Sequence, residues 1–273
     1  MPKPSLSLHA LDELHLVLHH LLQKRTIRSI KRRHQRHHPN GIATSYRDRH
    51  QLPQPGNEEG RVNIFTWHFI YDGAGVAAGD INNDGLPDLY FAGNMVPDKL
   101  YLNKGNFKFE DITANSGISP QIWSSGVTMV DVNADGLLDI YVCKNSPTAV
   151  PDNNRNKLYI NQGKNLFREQ AAQYGLDDIG FGIQSTFFDA DQDGDLDMYL
   201  VNQPFDEFSR LVNKPEAVAQ YPMTDRFFMF ENGKYVDKTS ALGLLDSRYG
   251  LSVALGDFDL NGWTDMYVCN DYH

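Results

Sequence analysis

Asp80-Ile-Asn-Asn-Asp-Gly-Leu-Pro-Asp88 decides the fold, because it recurs three times without a gap. The other copies are Asp131-Val-Asn-Ala-Asp-Gly-Leu-Leu-Asp139, Asp189-Ala-Asp-Gln-Asp-Gly-Asp-Leu-Asp197 and Asp257-Phe-Asp-Leu-Asn-Gly-Trp-Thr-Asp265. Each reads Asp-x-Asp/Asn-x-Asp/Asn-Gly-x-x-Asp. Each runs into an apolar stretch with tyrosine second: Leu89-Tyr90-Phe91, Ile140-Tyr141-Val142, Met198-Tyr199-Leu200 and Met266-Tyr267-Val268. Tyrosine and bulky apolar residues on both sides of a glycine-bearing loop predict two strands joined by that loop.

A second element repeats with it. Leu100-Tyr-Leu-Asn-Lys-Gly105 and Leu158-Tyr-Ile-Asn-Gln-Gly163 match, and Phe227-Phe-Met-Phe-Glu-Asn-Gly233 is a looser copy. Asn and Gly between short apolar runs predict a hairpin. The returning strand carries Phe109, Phe167 or Tyr235, each eight residues before Gly117, Gly175 or Gly243. Thr113-Ala-Asn-Ser, Ala171-Ala-Gln-Tyr and Thr239-Ser-Ala-Leu between them read as one helical turn closed by the glycine. Successive acidic loops start 51, 58 and 68 residues apart, yet the distance from Phe109, Phe167 or Tyr235 to the next loop is always 22. The variation therefore lies between the second and third strands, in Met95–Asp98, Pro147–Asn156 and Gln203–Asp225. The last insertion is long enough for a helix, which Pro215 limits to pieces.

Four strands per unit at this period predict an all-β fold, a β-propeller of four-stranded blades. The blades fall at about 73–118, 119–176, 177–244 and an incomplete 245–273. About three and a half blades do not close a ring of usual size, so the chain reads as a fragment of a longer protein. Up-and-down order puts the acidic loops at one end of the blades and the insertions at the other, where insertions are often the binding face.

The loop chemistry points to a metal. A tight turn at the glycine converges the side chains at positions 1, 3, 5 and 9, and position 7 adds a backbone carbonyl. The candidate ligands are Asp80, Asn82, Asp84, Leu86 and Asp88; Asp131, Asn133, Asp135, Leu137 and Asp139; Asp189, Asp191, Asp193, Asp195 and Asp197; and Asp257, Asp259, Asn261, Trp263 and Asp265. An all-oxygen cage suits Ca²⁺ better than zinc or copper, and Mg²⁺ resists this degree of dehydration. We expect about four structural Ca²⁺, the third site tightest because it has four carboxylates. An EF-hand needs a glutamate at position 12. Phe91, Val142, Leu200 and Val268 stand there, so position 9 must close the cage.

These residues resemble a known family. The loops, with Gly75-Val-Ala-Ala-Gly-Asp80 or Leu251-Ser-Val-Ala-Leu-Gly-Asp257 before them, look like the FG-GAP/VCBS repeat of integrin α-subunit propellers. The longer pattern, Asn/Asp-Lys-Leu-Tyr-Leu/Ile-Asn-x-Gly followed by Phe-x-Asp-x-Thr, more closely resembles the secreted cartilage acidic protein group, many of which carry an ASPIC/UnbV domain. The resemblance covers about residues 62–273. It implies a seven-bladed, calcium-stabilised propeller for binding or adhesion outside the cell or at its surface. It also implies a protein or glycan ligand on the face opposite the calcium loops.

Composition divides the chain. Residues 1–50 carry ten Lys/Arg against three acidic residues, and the remainder carries 15 against 32, so a net +7 joins a net −17. Residues 1–60 read as a basic, histidine-rich segment, disordered or partly helical, ahead of propeller repeats over 61–273. Lys24–His38 lacks interleaved aromatics, so nucleic-acid binding is not expected. Leu14–Leu22 is broken by three histidines and has no small-residue cleavage site, so it does not read as a signal peptide. No apolar run is long enough for a transmembrane helix. Cys143 and Cys269 occupy equivalent positions two blades apart and are expected to be unpaired. Trp67, Trp123 and Trp263 read as core or rim residues, and His68 as a strand residue. Gly-x-Ser-x-Gly, His-Glu-x-x-His and phosphate-loop motifs are missing from the sequence, which favours a non-catalytic module. The alternatives are the propeller part of a calcium-dependent carbohydrate-active enzyme, or a truncated fragment without independent function.

Overall fold

Strand-forming runs and turn residues alternate as the sequence demands, and the result is a row of antiparallel sheets. The computed structural model describes residues 74–119, 122–147, 150–203, 224–245 and 249–270. The basic segment, Trp67, His68 and most of the Gln203–Asp225 insertion with its expected helix lie outside the described residues.

The first sheet consists of β1 (Val76–Gly79), β2 (Asp88–Phe91), β3 (Lys99–Asn103) and β4 (Phe109–Asp111), in that order. The second consists of β5 (Ser124–Val130), β6 (Asp139–Lys144), β7 (Lys157–Asn161) and β8 (Phe167–Glu169). The third holds β9 (Phe181–Phe188), β10 (Asp197–Gln203), β11 (Arg226–Glu231) and β12 (Lys234–Asp237). A two-stranded sheet follows, β13 (Gly250–Gly256) with β14 (Asp265–Asn270). All pairings are antiparallel between sequence neighbours, so each acidic loop is the link between the first two strands of its sheet. The expected helical turns are a 3-10 turn at Thr113–Asn115 and one α-turn at Ala171–Tyr174, while the third copy is a plain turn.

The core lies between sheets. Ile81, Tyr90, Leu100 and Ile118 of the first unit meet Ile140, Val142, Tyr159 and Phe167 of the second. Val130, Tyr141, Cys143 and Leu158 of the second meet Met198, Leu200, Phe228 and Tyr235 of the third. Every residue of β6 and of β10 is buried, since each of these strands is covered on both faces. This explains why their centres, Ile140–Cys143 and Met198–Val201, read as unbroken apolar runs, without the polar alternation of a half-exposed sheet. Cys143 is buried and unpaired and Cys269 is also unpaired, so the small apolar role fits the first.

First strands lie side by side. Gly75 N–H donates to Ser125 O (2.5 Å), Ser125 Oγ donates to Gly182 O (2.5 Å), and Thr128 Oγ1 donates to Ser185 O (3.0 Å). Contact this close requires small residues: a Cβ on Gly126 would stand 2.2 Å from Ile183 O.

The Phe-x-Asp-x-Thr motif has a local job. Thr113 Oγ1 accepts the Leu100 N–H (2.9 Å) and donates to Asp111 Oδ1 (2.6 Å). Asp111 in turn pairs with Lys99 (2.9 Å). Thr239, Asp237 and Arg226 repeat the arrangement around Phe227. The motif therefore ties the start of the third strand to the turn that follows the fourth.

Candidate metal centre in the acidic loops

Four loops share one geometry, set by their own hydrogen bonds. The position-6 N–H donates to the position-1 carboxylate: Gly85 to Asp80 (2.6 Å), Gly136 to Asp131 (2.8 Å), Gly194 to Asp189 (3.1 Å) and Gly262 to Asp257 (2.9 Å). The position-7 N–H donates to position 5: Leu86 to Asp84, Leu137 to Asp135, Asp195 to Asp193 and Trp263 to Asn261, at 2.8–3.1 Å. Two residues per loop turn left-handed. Position 4 has φ of 58°, 56°, 63° and 61° at Asn83, Ala134, Gln192 and Leu260, and the position-6 glycines have 83°, 84°, 97° and 90°. Of these two left-handed positions only the sixth is glycine in all four copies, and a side chain there is strained whatever the space.

Position 9 differs from the others. Asp88, Asp139 and Asp197 are buried, and each uses both carboxylate oxygens on backbone N–H groups. Asp139 Oδ2 accepts from Val132 (3.1 Å) and Oδ1 from Asn161 at the end of the third strand (2.8 Å). Asp88 serves Ile81 and Asn103, and Asp197 serves Ala190 and Phe230, in the same way. Position 9 thus welds the loop to the sheet, a task beyond the cage-closing role read from the sequence. Burial, with the charges of Asp135 and Asp131 nearby, pushes the Asp139 carboxyl up from 3.8 to about 6. We expect Asp139→Ala to cost about 3 kcal/mol in chelator, by leaving two buried N–H groups unpaired, and more in calcium, where a ligand is lost as well. Urea unfolding in calcium and in chelator measures this, and a loss confined to the calcium-loaded form contradicts it.

Two groups of carboxylates converge among the described residues: Asp189, Asp191 and Asp193, and Asp257, Asp259 and Asp265, with ligand atoms within 4.8 Å of one another. In the first two loops an amide stands against a carboxylate, Asn82 Nδ2 to Asp84 (3.1 Å) and Asn133 Nδ2 to Asp135 (3.0 Å). The third loop has no such amide. Its Asp189 Oδ1 and Asp195 Oδ1 are shielded from solvent without a hydrogen-bond partner, and Asp195 is pushed up to about 6 by burial and by Asp193. Anionic oxygens gathered without donors are the donor set of a hard cation. Adjacent loops also touch: Asn83 Nδ2 donates to Gly136 O (3.1 Å) and Gln192 Nε2 to Gly262 O (2.6 Å).

At the opposite end a buried polar staple recurs that sequence reading did not assign. The second-strand tyrosine hydrogen-bonds the residue just before the third strand: Tyr90 with Asp98 (2.9 Å), Tyr141 with Asn156 (3.0 Å) and Tyr199 with Asp225 (2.8 Å). The signal was the Asn/Asp at the head of Asn/Asp-Lys-Leu-Tyr. In the first unit the staple extends across the sheets. Ser124 Oγ donates to Asp98 Oδ2 (3.0 Å), and the buried Lys144 donates to Ser124 Oγ (3.0 Å) and Ile122 O (2.5 Å). Burial pulls the Lys144 amine down to about 8. Nothing in Cys143-Lys-Asn-Ser146 announces a buried cation, because its partner Asp98 lies in another unit.

The four-stranded units and their acidic loops define a class: residues 80–142 match the profile of the FG-GAP-like repeat family. The chain is also homologous, at modest identity, to cartilage acidic protein 1. The Xenopus tropicalis protein is 32% identical over 200 residues, covering 72% of this chain and 28% of that protein. The Mus musculus protein is 27% identical over 165 residues, covering 59% and 22%, and the Homo sapiens protein 28% over 148, covering 49% and 21%. The chain spans little more than a quarter of these relatives at most. The resemblance drawn from the repeats is thereby borne out. Among the described residues no helix is long and apolar enough to cross a membrane.

Proposed function

We propose that this chain is part of a calcium-stabilised β-propeller acting outside the cell or at its surface as a non-catalytic binding or adhesion module. Its ligand, a protein or glycan, meets the face opposite the acidic loops. The observation that carries the metal reading is the repeated loop geometry, with orphaned carboxylate oxygens in the third copy. In each loop the side chains at positions 1, 3, 5 and 9 and the carbonyl of Leu86, Leu137, Asp195 or Trp263 hold the ion. Bound there, calcium neutralises carboxylates that otherwise repel one another, so its role is structural. Sheets of an FG-GAP-like repeat, set side by side through their first strands, support the propeller.

Calorimetric titration of the full chain with Ca²⁺ tests the reading, with four sites expected. Heat absent at every calcium concentration overturns it. Among the sites the third is the tightest, because charge count raises calcium affinity. We expect Asp191→Asn to weaken the highest-affinity step roughly tenfold and leave the remaining steps unchanged. An unaltered first step in that variant removes the third loop from the ranking.

A further inference from the structure

Between the first strands, towards the end away from the acidic loops, lies a groove of about 360 Å³ lined by residues of the second, third and fourth sheets and by Ala74, Gly75 and Asn94 beside the first. It is within the size range of small-ligand sites. Its walls carry amides and hydroxyls, among them Asn94, Thr128, Asn145, Gln184 and Gln203, with the aliphatic Val127, Ile183 and Leu251 between them. No lining residue is ionisable. Asn145 is only 7% exposed, and its Oδ1 has no hydrogen-bond partner. Its Nδ2 reaches Gln203 Oε1 at 3.4 Å.

We propose that this groove binds a neutral saccharide, whose hydroxyls meet the amides and hydroxyls of its walls. The inference rests on the binding-module reading above and gives that module its ligand class. Uncharged amides and hydroxyls match a ligand whose polar groups are neutral donors and acceptors. Aliphatic side chains interleaved with them suit the C–H faces of a sugar ring. Charged ligands find no counter-charge on these walls. A peptide adding as a strand needs free backbone groups along a sheet edge. Here neighbouring strands already use them: Ser125 O is taken by Gly75, Gly182 O by Ser125 and Ser185 O by Thr128.

The test is saturation-transfer NMR on the full chain in calcium. The probes are lactose, maltose, cellobiose and chitobiose, with a sulfated disaccharide and tetra-alanine as controls. Transfer to at least one neutral disaccharide is expected. Gln184→Leu should weaken it about tenfold, the cost of one lost hydrogen bond, while leaving the melting temperature equal or higher. Gln184→Trp, placed on a groove-lining strand position, should abolish it by filling the space, with the calcium response intact. No transfer to any neutral disaccharide, or transfer unchanged in both variants, overturns the proposal. Calcium titration of the same samples separates the two readings. A calcium-stabilised chain that transfers to tetra-alanine and to no sugar overturns the saccharide and leaves the module standing. A chain without calcium response overturns the metal reading, whatever the sugars do.

Discussion

Adding calcium to the chelated chain is expected to raise its melting temperature by about 20–40 °C. The size follows from linkage. A ligand at a hundredfold excess over its dissociation constant stabilises the folded state by about 2.7 kcal/mol per site, and four sites give roughly 11. For a folded unit of this size, each kcal/mol moves the midpoint by about 2–4 °C. Electrostatics point the same way. The residues after the basic segment carry 32 acidic groups against 15 basic ones, and four Ca²⁺ roughly halve that excess. Differential scanning calorimetry in calcium and in chelator decides it, and a difference of only a few degrees defeats the structural role.

The same buried carboxylates give the chelated form a pH dependence. Asp139 titrates near 6 in the folded chain against 3.8 ordinarily, chiefly because it is buried. A pKa raised by folding means that the folded state holds the extra proton between those values. Stability from this group is therefore fully present below about 4 and is lost as pH rises through about 6. Asp88 and Asp197 shift in the same direction for the same first cause. Chelated protein should thus melt at a lower temperature at pH 7 than at pH 5, and calcium should erase the difference. Equal melting temperatures at the two pH values without calcium contradict the assignment.

Much of this architecture was legible because it repeats. A single acidic loop is a common turn, whereas four in register, each followed by the same Leu/Ile/Met-Tyr pair, fix both the strands and the loop that joins them. The constant 22-residue interval fixed which connections are rigid, and the structure shows why. Gly117 and Gly175 end turns pressed against the next unit, where a side chain would meet Phe167 O or Tyr235 O. What stayed hidden was pairing over distance. Asp88, Asp139 and Asp197 look like four-ligand cage members in the sequence, yet their oxygens also hold a strand 15 to 33 residues further on. The Asp98–Ser124–Lys144 network and the orphan Asn145 arise only when two units come together. Ser124, Lys144 and Asn145 lie outside the repeated pattern, so periodicity carries no trace of them.

Gly117→Ala is expected to destabilise the chain by about 3 kcal/mol or more, against about 1 kcal/mol for Gly163→Ala. Both glycines are left-handed, with φ of 81° and 74°. Both therefore share the backbone penalty of an L side chain there, roughly 1–2 kcal/mol. They differ in what surrounds them. A Cβ on Gly163 meets nothing within 4 Å, whereas one on Gly117 stands 2.3 Å from the carbonyl oxygen of Phe167. That oxygen belongs to a neighbouring strand whose Phe167 N–H is held by Ser116 O at 2.7 Å, so it cannot retreat without breaking the bond. Relief requires the first and second sheets to part, which uncovers the Ile81, Tyr90, Ile140 and Val142 core between them. Denaturant melts of the two variants make the comparison, and equal losses would show that the sheets are free to slide. A large loss for Gly117→Ala alone shows that this turn sets the spacing between units. The acidic loops and the groove at the other end inherit their geometry from that spacing.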